Sequence, residues 1–313
     1  MKLATMDIGS GTVRVMLCEQ RNGSFDRLVV KRTITRLADG FAAGRLAETS
    51  MDRTVQAAKE MAKEARAFGA VEIRVSCSGV MRRAENAKEF LMRLRDEAGL
   101  DPVLIAGDLE AAISSLGATL ELGFADQPFV LLDIGGFSTE LAAIVAGKAE
   151  TSVSVDVGSV SMRADYLHED PPTDKQLAAC AERVGQELRA AVRIEDLGDH
   201  GPLVGTAGSI TNLAAMSLKM ERYEPGRLNR AVLTVENVQE LLSLLISMPA
   251  AGRLSLPGLE KGREDTIVAG AIIALEVMKL LQVERMLVTE GGVLEGLAVY
   301  AQWPPDEGGL LTV

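Results

Sequence analysis

The chain of 313 residues is short of the side chains that staple, chelate or stack: it has three cysteines, two histidines and one tryptophan, and aromatics make up 4% of it. Cys18, Cys77 and Cys180 lie in or beside apolar runs with no close spacing, which excludes a zinc-finger pattern and a CxxC redox pair. They are expected to be reduced packing residues in a cytoplasmic protein. His168 and His200 sit in polar stretches with no nucleophile or metal partner near them in sequence. So few aromatics give no identifiable base-stacking pocket. Long apolar runs are also missing. The longest, Ile267 to Leu275, is bounded by Asp265 and Glu276 and falls well short of the roughly 20 residues a membrane span needs. It reads as a buried helix, and no membrane partner is expected. The N-terminus reaches a carboxylate at Asp7, too early for a secretory signal. Finally, positive charge is in deficit, with 33 Lys and Arg against 44 Asp and Glu. That excludes a general nucleic-acid binder, which must neutralise many backbone phosphates. The basic residues are concentrated in the first hundred positions, either to draw an anionic ligand or as mere uneven surface charge.

What is present begins with size: the length exceeds what one hydrophobic core serves, so two domains are expected. An internal echo supports this. Leu3-Ala4-Thr5-Met6-Asp7-Ile8-Gly9-Ser10-Gly11-Thr12 returns as Phe129-Val130-Leu131-Leu132-Asp133-Ile134-Gly135-Gly136-Phe137-Ser138-Thr139. Each copy is an apolar strand ending in Asp, a turn of small residues, then a second apolar segment. Asn22-Gly23 and Gly147-Lys148 supply the next turns, so each half opens as a three-stranded meander. Helices are expected near 50–67, 86–98, 108–116, 174–193, 209–220, 235–246 and 265–281, with short strands at 71–77 and 103–105. A meander followed by alternating helix and strand gives an α/β fold, a mixed sheet flanked by helices, in each domain. The domains are expected at 1–120 and 121–313, with a compact hinge near 117–127 and the last helix free to pack back on the first domain. Pro304, Pro305 and Gly308-Gly309 mark a frayed tail.

An Asp at a strand end beside Gly, Ser and Thr has a chemical logic. Small residues let backbone N–H groups approach phosphate oxygens, hydroxyls donate to them, and the carboxylate holds a divalent cation. Gly9, Ser10, Gly11 and Thr12 form one such loop behind Asp7, and Gly135, Gly136, Phe137 and Ser138 form the other behind Asp133. A single copy would be an ordinary hairpin as readily as a site; the duplication favours a site. Gly205, Thr206, Gly208 and Ser209 follow a third apolar strand and open a helix, a place for an anion, with a helix N-capped by Ser209 as the alternative. Arg82 follows another strand end and suits bidentate phosphate binding. Glu110 stands in the first turn of an expected helix, as a favourable helix charge or as the base that orients a water. Glu140 either reaches a metal through another ligand or a bridging water, or is a solvated strand residue.

Together these segments resemble the exopolyphosphatase and guanosine pentaphosphate phosphatase family of the actin and sugar-kinase superfamily. The likeness rests on Asp7-Ile8-Gly9-Ser10, Arg82-x-Ala84-x-Asn86, Gly107-x-x-Glu110-Ala111, Asp133 to Glu140, Gly205 to Ser209, Pro257-Gly258-Leu259, Arg263-x-Asp265, Ala269-Gly270-Ala271 and Glu295-Gly296. The resemblance implies two actin-like, ribonuclease-H-type domains closing on an interdomain cleft. It implies Glu110 as the catalytic residue, Asp133 and Glu140 as acidic metal-site residues, Arg82 as a phosphate-binding arginine and the Gly-rich turns as phosphate loops. It further implies magnesium (or manganese), inorganic polyphosphate or guanosine pentaphosphate as substrate, and a homodimer of the short form. A kinase, or a non-catalytic phosphate or nucleotide sensor of the same fold, are the competing readings. The chain departs from the family pattern at Gly11 (usually Asn), Phe137 (usually Gly), and Ala112 and Leu294 (usually Arg). Phe137 is expected to narrow or stiffen the second loop.

Overall fold

The computed structural model describes residues 1–21, 24–197 and 201–305. Asn22-Gly23, His200 and Gly308-Gly309 lie outside them. The chain divides into two compact units, Met1–Gly117 together with Val293–Val313, and Ala118–Gly292. The sequence places the boundary at 120/121 in a hinge; the division falls instead inside a helix, and returns at 292/293.

The first unit is built on β1 (Lys2–Ile8), β2 (Thr12–Arg21), β3 (Ser24–Ile34), α1 (Glu48–Phe68), β4 (Glu72–Cys77), α2 (Ala87–Ala98), β5 (Pro102–Leu104) and the start of α3 (Gly107–Leu122). Its sheet has the order β3-β2-β1-β4-β5, with β1 antiparallel to β2 and parallel to β4. β1 is buried at every position after Lys2 because both faces of a central strand are covered. The helix expected to stop at 116 continues to Leu122. Gly117 lies inside it, and an interior glycine costs a helix only about 1 kcal/mol. The left-handed residue that ends it is Gly123, at φ +64°.

The second unit repeats the plan. It comprises β6 (Phe129–Ile134), β7 (Thr139–Val145), β8 (Lys148–Val155), α4 (Ser159–Tyr166), α5 (Asp174–Ala191), α6 (Ile194–Leu197), β9 (Leu203–Thr206), α7 (Ala207–Ser217), α8 (Pro225–Leu228), β10 (Val232–Thr234), α9 (Val235–Ile246), α10 (Ala250–Arg253), α11 (Ile267–Leu280) and β11 (Arg285–Val288). The sheet order is β10-β11-β9-β6-β7-β8. Read from β8, this is the order of the first sheet with β10 added at the edge. The apolar run noted in the sequence is α11, buried along most of its length in the core of this unit. α4, β10 and β11 escaped sequence reading because each is too short to show a period.

α12 (Val293–Val299) returns to the first unit. Leu294 and Ala298 pack with Leu3, Met16 and Cys18, while Val293 and Leu297 pack with Ile105 and Ile113. Leu294, where the family usually has Arg, is thus a core residue. Arg74, itself buried, donates from Nη1 to the carbonyls of Leu297 and Tyr300, each at 2.8 Å, and so caps the end of α12. Arg27 pairs with the buried Glu295 at 2.7 Å.

All three thiols are buried. Burial pushes Cys18 up to about 11, Cys180 up to about 12 and Cys77 well above its ordinary value near 9. Each folded-state value lies above the unfolded one, so the stabilisation is complete below about pH 9 and is lost as pH rises towards 11–12. Urea unfolding at pH 8 and pH 10 is expected to show a stability loss across that interval that Cys18→Ala and Cys180→Ala each reduce. An unchanged pH slope in both variants would disprove the assignment.

Candidate active site

In the first unit, β1 delivers Asp7 to the point where the chain turns through Gly9-Ser10-Gly11 into β2. In register, Asp7 faces Arg14 on β2 and Ser76 on β4. Arg14 Nη2 donates to Asp7 Oδ2 at 2.7 Å and Ser76 Oγ donates to Oδ1 at 3.1 Å. Both oxygens of Asp7 are engaged within the protein. The loop is closed by a bond from Gly9 N to Thr12 O at 3.0 Å. Its carbonyls are held from behind: Gly11 O accepts from the amides of Thr35 and Arg36, and Ser10 O accepts from Ala38 N, each at 2.9 Å. With the carbonyls so turned, the amide side of the loop is the side an anion can meet.

The second unit reproduces this with different partners. Gly135 N donates to Ser138 O at 3.0 Å, the same loop closure. Gly135 O accepts from Ser159 N at 3.0 Å, and Gly136 O accepts from Val160 N at 2.8 Å and Ser161 N at 3.1 Å, so the first turn of α4 does here what residues 35–38 do in the first unit. Gly158 makes the approach feasible. A Cβ there would lie 2.3 Å from Gly136 C, Gly136 O and Phe137 N. Phe137 is buried, and it is absent from the residues with positive φ, so its side chain imposes no backbone strain on the loop. At Gly11 an added Cβ meets nothing within 4 Å, so the change from the family's Asn leaves room rather than strain.

The two aspartates differ in what faces them. Where Arg14 answers Asp7, Glu140 faces Asp133, and both carboxylates are buried. On their outer sides Asp133 faces Thr206 of β9, and Ser154 of β8 donates to Glu140 Oε1 at 2.8 Å.

The third loop follows β9. Gly205 is required by packing, since a Cβ would come within 2.8 Å of Met286 Sδ and 2.9 Å of Ile210 Cγ2. Thr206 Oγ1 donates to Gly291 O at 2.9 Å. α7 starts at Ala207, a non-glycine residue at φ +66°, with Thr206 as its N-cap. Ser209 therefore lies buried inside the first turn and is not the cap. The reason is that the chain turns sharply enough at Ala207 to begin the helix two residues early. Against Gly208 lies the guanidinium of Arg263, 2.2–2.5 Å from where a Cβ would stand, and Arg263 Nε donates to Glu260 Oε2 at 3.1 Å. A cation thus sits beside the N-terminus of α7, both favourable to an anion. Arg263 and Arg14 were missed as site residues by sequence reasoning. Arg14 had a signal, for it follows Asp7 at the interval by which Glu140 follows Asp133.

Back in the first unit, the short 3₁₀ turn Gly79–Arg83 carries Arg82, which forms an ion pair with Glu110 in the first turn of α3. Their side chains are 14% and 13% exposed, so the carboxylate is sheltered yet reachable.

Two sheets of one order, each led by an Asp-ended strand and a small-residue loop, define an actin-like protein. The model of the Ppx/GppA phosphatase family matches residues 16–302, and the chain belongs to that family. It is 30% identical over 314 residues to Exopolyphosphatase 2 of Mycobacterium tuberculosis, covering 95% of this chain and 98% of that protein. Exopolyphosphatase 1 of the same organism is 27% identical over 300 residues, covering 95% and 87%. Among solved structures, the Aquifex aeolicus PPX-GPPA enzyme is 27% identical and covers 96% of this chain and 99% of its own, with a TM-score of 0.80. An exopolyphosphatase from Cytophaga hutchinsonii, 20% identical with a TM-score of 0.86 over 95% and 96%, shares the fold. The chain is accordingly a phosphatase, and thus a hydrolase. Among the described residues no helix is long and apolar enough to cross a membrane.

Proposed function

We propose that the chain releases terminal phosphate from inorganic polyphosphate, with Glu110 orienting the attacking water and Asp133 and Glu140 holding Mg2+ (or Mn2+). The observation that carries this reading is the buried pair Asp133 and Glu140 on facing strand positions. Two carboxylates directly opposite each other repel. At the corresponding place in the first unit the chain supplies Arg14; here a hard dication suits the oxygen donors. Mg2+ commonly takes one or two carboxylates, keeps several waters and accepts substrate phosphate oxygens. A pair therefore fits it better than a cage, and among the described residues no three acidic, His or Cys side chains gather to form one. When bound, the cation offsets charge on the transferred phosphoryl group.

The remaining work falls to the protein's own groups. In each unit the loop amides, Gly9–Thr12 in the first and Gly135–Ser138 with those opening α7 in the second, are suited to phosphate oxygens, and Arg263 adds charge beside the third loop. Arg82 binds the phosphate chain and pairs with Glu110, whose carboxylate accepts a hydrogen bond from water. Polyphosphate is favoured over guanosine pentaphosphate because relatives named exopolyphosphatase match this chain almost end to end.

Phosphate release from short polyphosphate, long polyphosphate and guanosine pentaphosphate tests the reading. Release from polyphosphate is expected to lead, to stop on chelation and to return with Mg2+. Faster release from guanosine pentaphosphate would reassign the substrate. Binding without release from any of the three, with Mg2+ or Mn2+ present, would refute hydrolysis and leave a sensor.

A further inference from the structure

Ser10 belongs to the first phosphate loop, yet its hydroxyl is directed elsewhere. Ser10 Oγ accepts a hydrogen bond from Val80 N at 2.8 Å, in a buried setting. Val80 lies in the first turn of the 3₁₀ segment Gly79–Arg83, and the residue preceding that segment, Ser78, makes no side-chain cap. The opening amides of any helical turn need acceptors from outside it. Here the acceptor comes from another strand-to-strand loop. The fit is close: Gly79 has φ +66°, and a Cβ on it would stand 2.3 Å from Ser10 Oγ. Two residues beyond Val80, the same turn carries Arg82, which is paired with Glu110.

We propose that Ser10 is a positioning residue for the catalytic pair: it ties the turn that aims Arg82, and through Arg82 it fixes Glu110. The loop that meets phosphate and the group that activates water are then set by one hydroxyl. This rests on the functional reading above for its catalytic consequence, but the tie itself is independent of it. A buried amide deprived of its acceptor is costly, so Ser10→Ala should loosen residues 79–83 before it affects the strands on either side.

Two measurements test it. In hydrogen–deuterium exchange, Ser10→Ala is expected to raise exchange across 79–83 roughly 10-fold or more while β1 and β4 keep their protection. This holds whether or not the protein hydrolyses polyphosphate, so it separates failure of the tie from failure of the functional reading. In a double-mutant cycle on polyphosphate hydrolysis, Ser10→Ala is expected to lower kcat about 10-fold with little change in KM, and to have almost no further effect in an Arg82→Ala background. Unchanged protection across 79–83 would overturn the tie. Equal penalties in both backgrounds, or a loss confined to KM, would make Ser10 a direct phosphate contact instead.

Discussion

Glu110→Gln is expected to lower kcat for phosphate release by roughly 10²- to 10⁴-fold, the usual contribution of a positioned base, while leaving a folded protein. Glutamine keeps the shape and one oxygen for Arg82 but has no charge with which to draw a proton from water. Its effect on KM should be small, because in the proposed mechanism Glu110 acts on the water and not on the phosphate chain. The lost ion pair is partly buried, at 13% and 14% exposure, so some loss of stability accompanies the change, and activity must be compared below the unfolding transition. A variant retaining more than about a tenth of wild-type kcat would assign the base elsewhere.

Gly158→Ala should be nearly as damaging by a different route. The added methyl would stand 2.3 Å from three backbone atoms of Gly136 and Phe137, and backbone cannot move aside as a flexible side chain can. Either the second loop shifts, or the first turn of α4 withdraws and gives up the bonds to Gly135 O and Gly136 O. Overpacking of this kind costs about 1–3 kcal/mol or more, and a displacement near 1 Å in a positioning element costs about 10²-fold in rate. A thermal midpoint lowered by several degrees, with kcat reduced about 100-fold, is expected from calorimetry and phosphate release. Gly226→Ala is the control, since nothing lies within 4 Å of its added Cβ. Wild-type behaviour of Gly158→Ala would mean that α4 does not set the loop.

The contrast between these two residues shows what could be read in advance. The place of Glu110 in the first turn of α3 was legible because a strand, a glycine break and a first-turn carboxylate follow one another locally. The duplicated Asp7 and Asp133 were legible for the same reason, since apolar runs ending in Asp and small residues stand out twice. Gly158 carried no such mark: its demand arises from α4 meeting a loop more than twenty residues earlier, and α4 is too short to announce itself. The exchange of Arg14 for Glu140 was visible in the repeat yet acquires meaning only once strand register sets each against its aspartate. Likewise Arg263 sits on Gly208 through a tertiary approach that no local spacing encodes.

The return of α12 sets an order on how the molecule is made. Residues 118–292 form an uninterrupted stretch with its own core and can complete folding as they leave the ribosome. The first unit cannot, although its strands are synthesised earlier. Leu3, Met16 and Cys18 await Leu294 and Ala298, and Arg74 awaits the carbonyls of Leu297 and Tyr300. The half that emerges first is therefore finished last, and for most of translation its apolar sheet face is the surface a nascent-chain chaperone would have to shield.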